Sequence, residues 1–161
     1  MATASWRQVV AMALSSALVL MWAAHLSAQG GPKPIDFWII SGYNYNPAQP
    51  FDPSPRYRPN AIPPAIRALD GQKVTISGNA MAVDYSSGLM SEFILNATID
   101  ACGFGEAPRI NEWIYVRMAN GRKTQVYTAM DMTITGTFRI KEEVEDGRLI
   151  GLYSIDADSV Q

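Results

Sequence analysis

The side chains that could do chemistry are few and fall in the second half of the chain. Cys102 is the only cysteine, so no internal disulfide can form. It opens the stretch Cys102-Gly103-Phe104-Gly105-Glu106-Ala107-Pro108, which runs on to Asn111. A lone thiol can act as a nucleophile, a redox group or half of an intermolecular disulfide. It can equally be a small apolar group buried at a strand end, and that is the plainer expectation. Metal ligation is least favoured, because a soft thiolate would have to recruit hard carboxylates. The sole histidine, His25, precedes the segment expected to fold. Without it the chain lacks the commonest general base and a common metal ligand. Gly103-Phe104-Gly105 lacks the Lys-Ser/Thr that completes a phosphate loop and reads as a crossover between strands. Cys102, Phe104, Pro108 and Asn111 are thus a candidate functional loop. No catalytic residue, metal ligand or cofactor is assigned.

A second group is Trp113, Tyr115 and Arg117, which alternate with Ile114, Val116 and Met118. Alternation places the two sets on opposite faces of a strand. If the aliphatic set faces the core, an aromatic–basic row faces outward, as on sheets that bind oligonucleotides or sugars. The competing and favoured expectation is that Phe37 and Trp38 cover this row. Asp156 and Asp158 also share a strand face and could bind calcium or do acid–base work. A solvated strand end is the simpler reading. Glu142, Glu143, Glu145 and Asp146 form an acidic turn, read as solvation.

The elements that must position these groups begin after a leader. Arg7 is followed by Val-Val-Ala-Met-Ala-Leu-Ser-Ser-Ala-Leu-Val-Leu-Met-Trp-Ala-Ala and then His25-Leu26-Ser27-Ala28. This is the pattern of a secretory signal peptide over residues 1–28. It predicts a periplasmic or secreted protein, touching a membrane only through an uncleaved leader. The leader carries one Arg, so the remainder has 12 basic against 15 acidic residues. That balance argues against nucleic acid as partner, since phosphate binding wants a clustered basic stripe.

Residues 29–68 hold nine of the ten prolines. They form a Pro/Tyr-rich arm expected to pack on the core, since proline removes backbone donors and opposes regular structure. Ile35–Ile40 could dock as a short strand or turn, and Ile62–Leu69 could form one helical turn started by Pro63 or Pro64. From residue 69 to 161 the pattern is β. Val74 and Ile76 alternate, and Met81 and Val83 read one step out of phase, which predicts a bulge at Gly78-Asn79. Further strands are predicted near Phe93–Ile99, Trp113–Met118, Met132–Lys141 and Leu149–Ala157, with a hairpin at Asn120-Gly121 and a turn at Asp146-Gly147. Thr75-Ile76-Ser77-Gly78 and Thr133-Ile134-Thr135-Gly136 look alike, as two strands that bend. The predicted fold is all-β, a small five-stranded antiparallel OB-like barrel, with an open meander or small sandwich as the alternative.

Leu69-Asp70-Gly71-Gln72-Lys73-Val74, Ile76-Ser77-Gly78 and Glu92-Phe93-Ile94-Leu95, taken in this order, resemble an uncharacterised bacterial family, domain of unknown function three-two-nine-nine. Ala101-Cys102, Pro108 and Asn111 before Trp113–Val116, then Gly136 and Tyr153, Ile155, Asp156, Ala157 and Asp158, continue the resemblance. Phe37-Trp38 and Tyr43–Tyr45 are similar to the segment before its core. The resemblance implies a small exported protein encoded near ABC-transporter components. In that family a histidine usually stands two positions after the cysteine; here it is Phe104, which removes a Cys–His pair.

The leading expectation is therefore an exported, non-catalytic binding or accessory protein of unknown ligand. Its partner would be an envelope or transporter protein. The alternatives are a thiol- or metal-dependent activity at Cys102, and oligosaccharide or nucleic-acid binding through the Trp113 face.

Overall fold

In the computed structural model the described residues are 30–45, 47, 62–83, 88–99 and 107–161. The expected leader, residues 46 and 48–61 of the arm, and Cys102 and Phe104 of the candidate loop lie outside them. Pro32–Gln161 forms one unit, and it is the one described below.

The arm enters as β1 (Lys33–Pro34), which pairs in parallel with Val74 and Thr75. Asp36 then caps α1 (Phe37–Ser41) by accepting from the Trp38 amide at 3.2 Å. A short acceptor side chain at this position meets one of the orphan donors of a helix start. The turn buries Phe37 and Ile40 and leaves Trp38 71% exposed. Further on, Pro63 and Pro64 start α2 (Pro64–Arg67), which places Ile66 and then Leu69 in the core. Proline suits this start because its missing N–H had no intrahelical partner to lose. Gly71 turns the chain with φ of 76°.

Seven strands follow among the described residues: β2 (Lys73–Ala82), β3 (Leu89–Met90), β4 (Glu92–Asn96), β5 (Trp113–Met118), β6 (Thr124–Gln125), β7 (Met130–Glu145) and β8 (Arg148–Val160). Only β3 and β6 stand apart, as a two-stranded pair. The fold is all-β, but its main sheet is mixed and has six strands in place of five antiparallel ones. β5 and β8 run parallel, as do β1 and β2. The pairings run from β2 through β4, β5, β8 and β7 and back to β2. Side-chain alternation says which face a residue takes; it is silent on the direction of the neighbouring strand, so the parallel pairs left no signal.

β2 corrects the expected bulge. Its register against β7 is continuous from Lys73↔Thr137 to Ala80↔Met130. The core-facing positions are Val74, Ile76, Ala80 and Ala82, so Met81 and Val83 lie on the outer phase. Gly78 stands on the inner phase for a steric reason. A Cβ there would lie 2.6 Å from the Asn96 carbonyl oxygen and 2.7 Å from Cε2 of Phe37. The two look-alike segments pair with each other, Ile76 opposite Ile134, with hydroxyl contacts Thr75–Thr135 at 3.0 Å and Ser77–Thr133 at 2.8 Å. Each glycine faces a larger apolar residue: Gly78 opposite Met132, Gly136 opposite Val74. The register shifts fall elsewhere, at three places in the pairing of β7 with β8. Asp158 is an extra residue of β8 beside Gly136, whose Cβ would meet the Asp156 carbonyl oxygen at 2.3 Å.

Two turns contrast. Asp146 and Gly147, with φ of 48° and 72°, join β7 to β8 as a two-residue hairpin. Asn120 and Gly121 also take positive φ, 59° and 65°. They sit in a 3₁₀ turn after β5, and the chain leaves it to pair β6 with β3, so the expected hairpin is absent there. The core closes on Phe93, Leu95, Ile114, Val116, Ile134, Phe138, Leu152 and Ile155, all with no accessible surface. Each such side chain contributes roughly 1.5–3 kcal/mol on leaving water.

Candidate functional site

β5 divides its side chains as alternation requires. Ile114 and Val116 are fully buried, Met118 nearly so, Trp113 and Tyr115 half-buried, and Arg117 exposed. The outward row is joined to β4. The Tyr115 hydroxyl donates to Glu92 Oε2 at 2.7 Å, Arg117 Nε donates to Oε1 at 3.0 Å, and the guanidinium lies 5.2 Å from the Tyr115 ring centroid. Such a cation–aromatic contact at an exposed site is worth about 0.5–1 kcal/mol. The hydrogen bond from Tyr115, and next to it that from Arg117, holds the Glu92 carboxyl below its usual range. Burial, then the bond to Glu92, pushes the Tyr115 phenol up to about 12. The Glu92 bond raises Arg117 as well.

Arg117, at the end of the row, lines a groove of about 400 Å³ together with Asp70, Arg139, Lys141, Glu143 and Asp156. Its walls come from register. Tyr115 pairs with Ser154 and Ser154 with Arg139; Arg117 pairs with Asp156. Arg139 Nε meets Asp156 Oδ2 at 3.4 Å, and Asp70 Oδ1 accepts from the Ile140 amide at 3.0 Å. Three cationic and three carboxylate side chains line it, so it has no net charge to attract a polyanion.

The arm does not place Phe37 and Trp38 over this row. Phe37 is 5% exposed and packs against Gly78 and Leu95 on the inner face, and Trp38 stands out in solvent. Apolar burial drew Phe37 into a space that only a glycine leaves open. The arm is fastened by a polar clamp instead. Tyr153 Oη donates to the Ile40 carbonyl at 2.9 Å and shares a 2.7 Å bond with Tyr43 Oη. Tyr45 Oη donates to Glu142 Oε1 at 2.5 Å. Asn111 Nδ2 donates to the Tyr43 carbonyl at 2.9 Å, and Arg109 Nη2 to that of Ser41 at 3.2 Å. Arg109 is itself held by Glu112, whose carboxyl those bonds lower. Burial raises the phenols of Tyr153 and Tyr43.

Of the candidate loop, Asn111 is fully buried and belongs to this clamp; Pro108 is half-buried beside it in sequence, and Cys102 and Phe104 lie outside the described residues. Trp113, Tyr115 and Arg117 do share one face. Asp156 and Asp158 form no common cation site, because Asp156 meets Arg139 and Asp158 meets Lys73. Of the acidic turn, Glu142 is taken by Tyr45 and Glu143 lines the groove. Among the described residues no group of three or more His, Cys, Asp or Glu could hold a metal, and no helix is long and apolar enough to cross a membrane. Sequence reasoning missed Asp70, Arg139 and Lys141. Arg139 and Lys141 carried one signal, a place on the polar phase of the alternating β7.

Comparison with known proteins gives a consistent answer. A family model described as "Protein of unknown function (DUF3299)" matches residues 56–161. The crystal structure of a DUF3299 family protein from Pseudomonas aeruginosa is similar, with a TM-score of 0.56 and 23% identity over 81% of this chain and 95% of that one. At that identity the likeness speaks for a shared fold alone. No curated protein matches.

Proposed function

The chain belongs to the DUF3299 family of proteins of unknown function, and on that premise we propose that it is an exported, non-catalytic binding module. Its ligand site is the outward row of β5 and the groove beside it. The observation that carries this reading is the placing of Trp113, Tyr115 and Arg117 on one face of β5, with Arg117 also lining a groove of about 400 Å³. Binding sites combine flat apolar surface with a few convergent polar groups, and this face has both. The return of the pairings from β7 to β2 and the parallel β5–β8 pair support an OB-like closed barrel. Such barrels bind small polymers and saccharides on the outer sheet surface. Export rests on the leader at residues 1–28. An accessory role beside an envelope transporter rests on the family resemblance.

The test is a titration of the isotopically labelled full chain, followed through its backbone amides, with neutral oligosaccharides, short peptides and a single-stranded oligonucleotide. Shifts should gather on β5 and its neighbours in β8 and β7, for the first two classes. They should vanish in the variant combining Trp113→Ala, Tyr115→Ala and Arg117→Ala. Shifts that persist in this variant, or a response to the oligonucleotide alone, would overturn the reading.

A further inference from the structure

Asn120 is the only asparagine of the chain followed by glycine. Both residues are exposed, and among the described residues the Asn120 side chain makes no hydrogen bond. A Cβ on Gly121 would meet nothing within 4 Å. An asparagine side chain carries an electrophile, its Cγ carbonyl, within reach of the next backbone nitrogen. A side chain on the following residue crowds that nitrogen's approach; glycine leaves it open. The other described asparagines lack this combination: Asn44 precedes Tyr45, Asn79 and Asn96 precede alanine, and Asn111 precedes Glu112. Asn96 and Asn111 are also buried. The turn sets the two reacting groups apart. Asn120 has ψ of 28°, and at that angle the Gly121 nitrogen points away from the side chain. Ring closure therefore needs the turn to open. Arg122 resists opening. Its Nε donates to the Ala119 carbonyl at 3.3 Å, and its Nη2 to the β8 carbonyls of Asp158 and, at 3.5 Å, Ala157. A short turn held by exposed bonds opens locally at small cost.

We infer that Asn120-Gly121 is a site of covalent modification, at which the side-chain amide is lost without an enzyme, and that Arg122 sets the rate by fastening the turn. The Gly121 nitrogen gives its proton to hydroxide and attacks Cγ of Asn120. A C–N bond forms, the Cγ–Nδ2 bond breaks, and ammonia leaves with a proton taken back from water, which restores the hydroxide. Water then opens the cyclic imide. Addition at Cγ breaks its bond to the Gly121 nitrogen and gives aspartate. Addition at the main-chain carbonyl carbon of Asn120 gives isoaspartate, in which the backbone runs through the former side chain. Either product places a new carboxylate in the turn beside Arg122, where it competes with the β8 carbonyls for the guanidinium.

The experiment incubates the folded full chain at neutral and at mildly alkaline pH and follows its proteolytic peptides by mass, with chromatography to separate aspartate from isoaspartate. The gain in mass from amide to acid should appear first on the peptide holding Asn120-Gly121, as a mixture of the two products. It should run faster at alkaline pH, because hydroxide takes the proton. Asn120→Gln should leave that peptide unchanged over the same period. Arg122 is exposed, so Arg122→Ala removes the tie and spares the core. Conversion in this variant should be about fivefold faster or more, the effect of losing a charge-assisted bond. In the parent chain the Arg122 amide donates to the Ala119 carbonyl at 3.3 Å, so its hydrogen exchange reads the opening of the turn. Mild denaturant should speed that exchange and the conversion in the same proportion. An Asn120 peptide that stays intact while another asparagine converts, or an absence of conversion anywhere, would overturn the site. Equal rates in the parent and Arg122→Ala, or conversion that does not follow the exchange, would overturn the part given to Arg122.

Discussion

Tyr153 and Tyr115 both offer a phenol to a partner on another segment, and both phenols are raised by burial first. Their surroundings differ. Tyr153 lies 2% exposed among Ile40, Tyr43 and Phe138, and its hydroxyl bonds to a neutral carbonyl and another phenol. Tyr115 lies half in solvent, and its hydroxyl bonds to a carboxylate that also holds Arg117. At the clamp, a lost bond leaves a buried acceptor unpaired, which costs about 1–3 kcal/mol. On the face, water takes the place of a lost bond, and such exposed pairs are worth about 0–1 kcal/mol. The difference separates a joint that holds the arm from a surface free to exchange its partners.

The sharpest way to break the contrast is to attack the clamp side at its notch. Gly78→Val would place side-chain atoms where Phe37 and the Asn96 carbonyl already are. It should lower stability by about 3 kcal/mol or more through overpacking and displacement of the arm. Thermal unfolding unchanged from the parent would show that Phe37 is not seated there.

Next in size is Tyr153→Phe, expected to cost about 1–2 kcal/mol in denaturant unfolding. Its pH dependence has a definite sign. The folded phenols of Tyr153, Tyr43 and Tyr115 titrate above their unfolded value of 10.0. The stability they add is fully present below about pH 10 and is lost as pH rises through their folded values. The parent should therefore lose stability steeply above about pH 10, and Tyr153→Phe less steeply. Equal slopes in the two proteins would remove Tyr153 from the account.

The smallest effect belongs to Tyr115→Phe, which should change stability by no more than about 0.5 kcal/mol. It should still alter the ligand-induced shifts on β5. A loss of stability as large as that of Tyr153→Phe would erase the distinction between face and clamp.

Several of these features were legible beforehand. Trp113–Met118 reads as a strand with the correct two faces because its alternation is unbroken. Pro64 marks a helical turn, and Asp146-Gly147 a hairpin. β2 was harder. Ala80 and Ala82 carry little hydrophobic weight, so Met81 and Val83 drew the inner phase onto the wrong residues. The cover expected from Trp38 failed because Gly78 offers the arm a deeper place, for Phe37. Asp70, Arg139, Lys141 and Asp156 became a groove only once β7 and β8 were paired beside β5.

The sequence by itself determined that the chain is β-rich, which face strands such as Trp113–Met118 turn inward, where two of its turns fall, and its likeness to one family. These are local matters, set by period-two hydrophobicity and by residues suited to particular dihedral angles. The tertiary structure alone decided that β5 lies parallel to β8, that Tyr153 and Asn111 hold the arm, and that Lys141 and Glu143 share a groove with Arg117. Those facts depend on which distant segments become neighbours. Alternation carries no record of the neighbour, because any strand with an apolar face can satisfy another's hydrogen bonds; shape and packing at Gly78 and Gly136 make the choice.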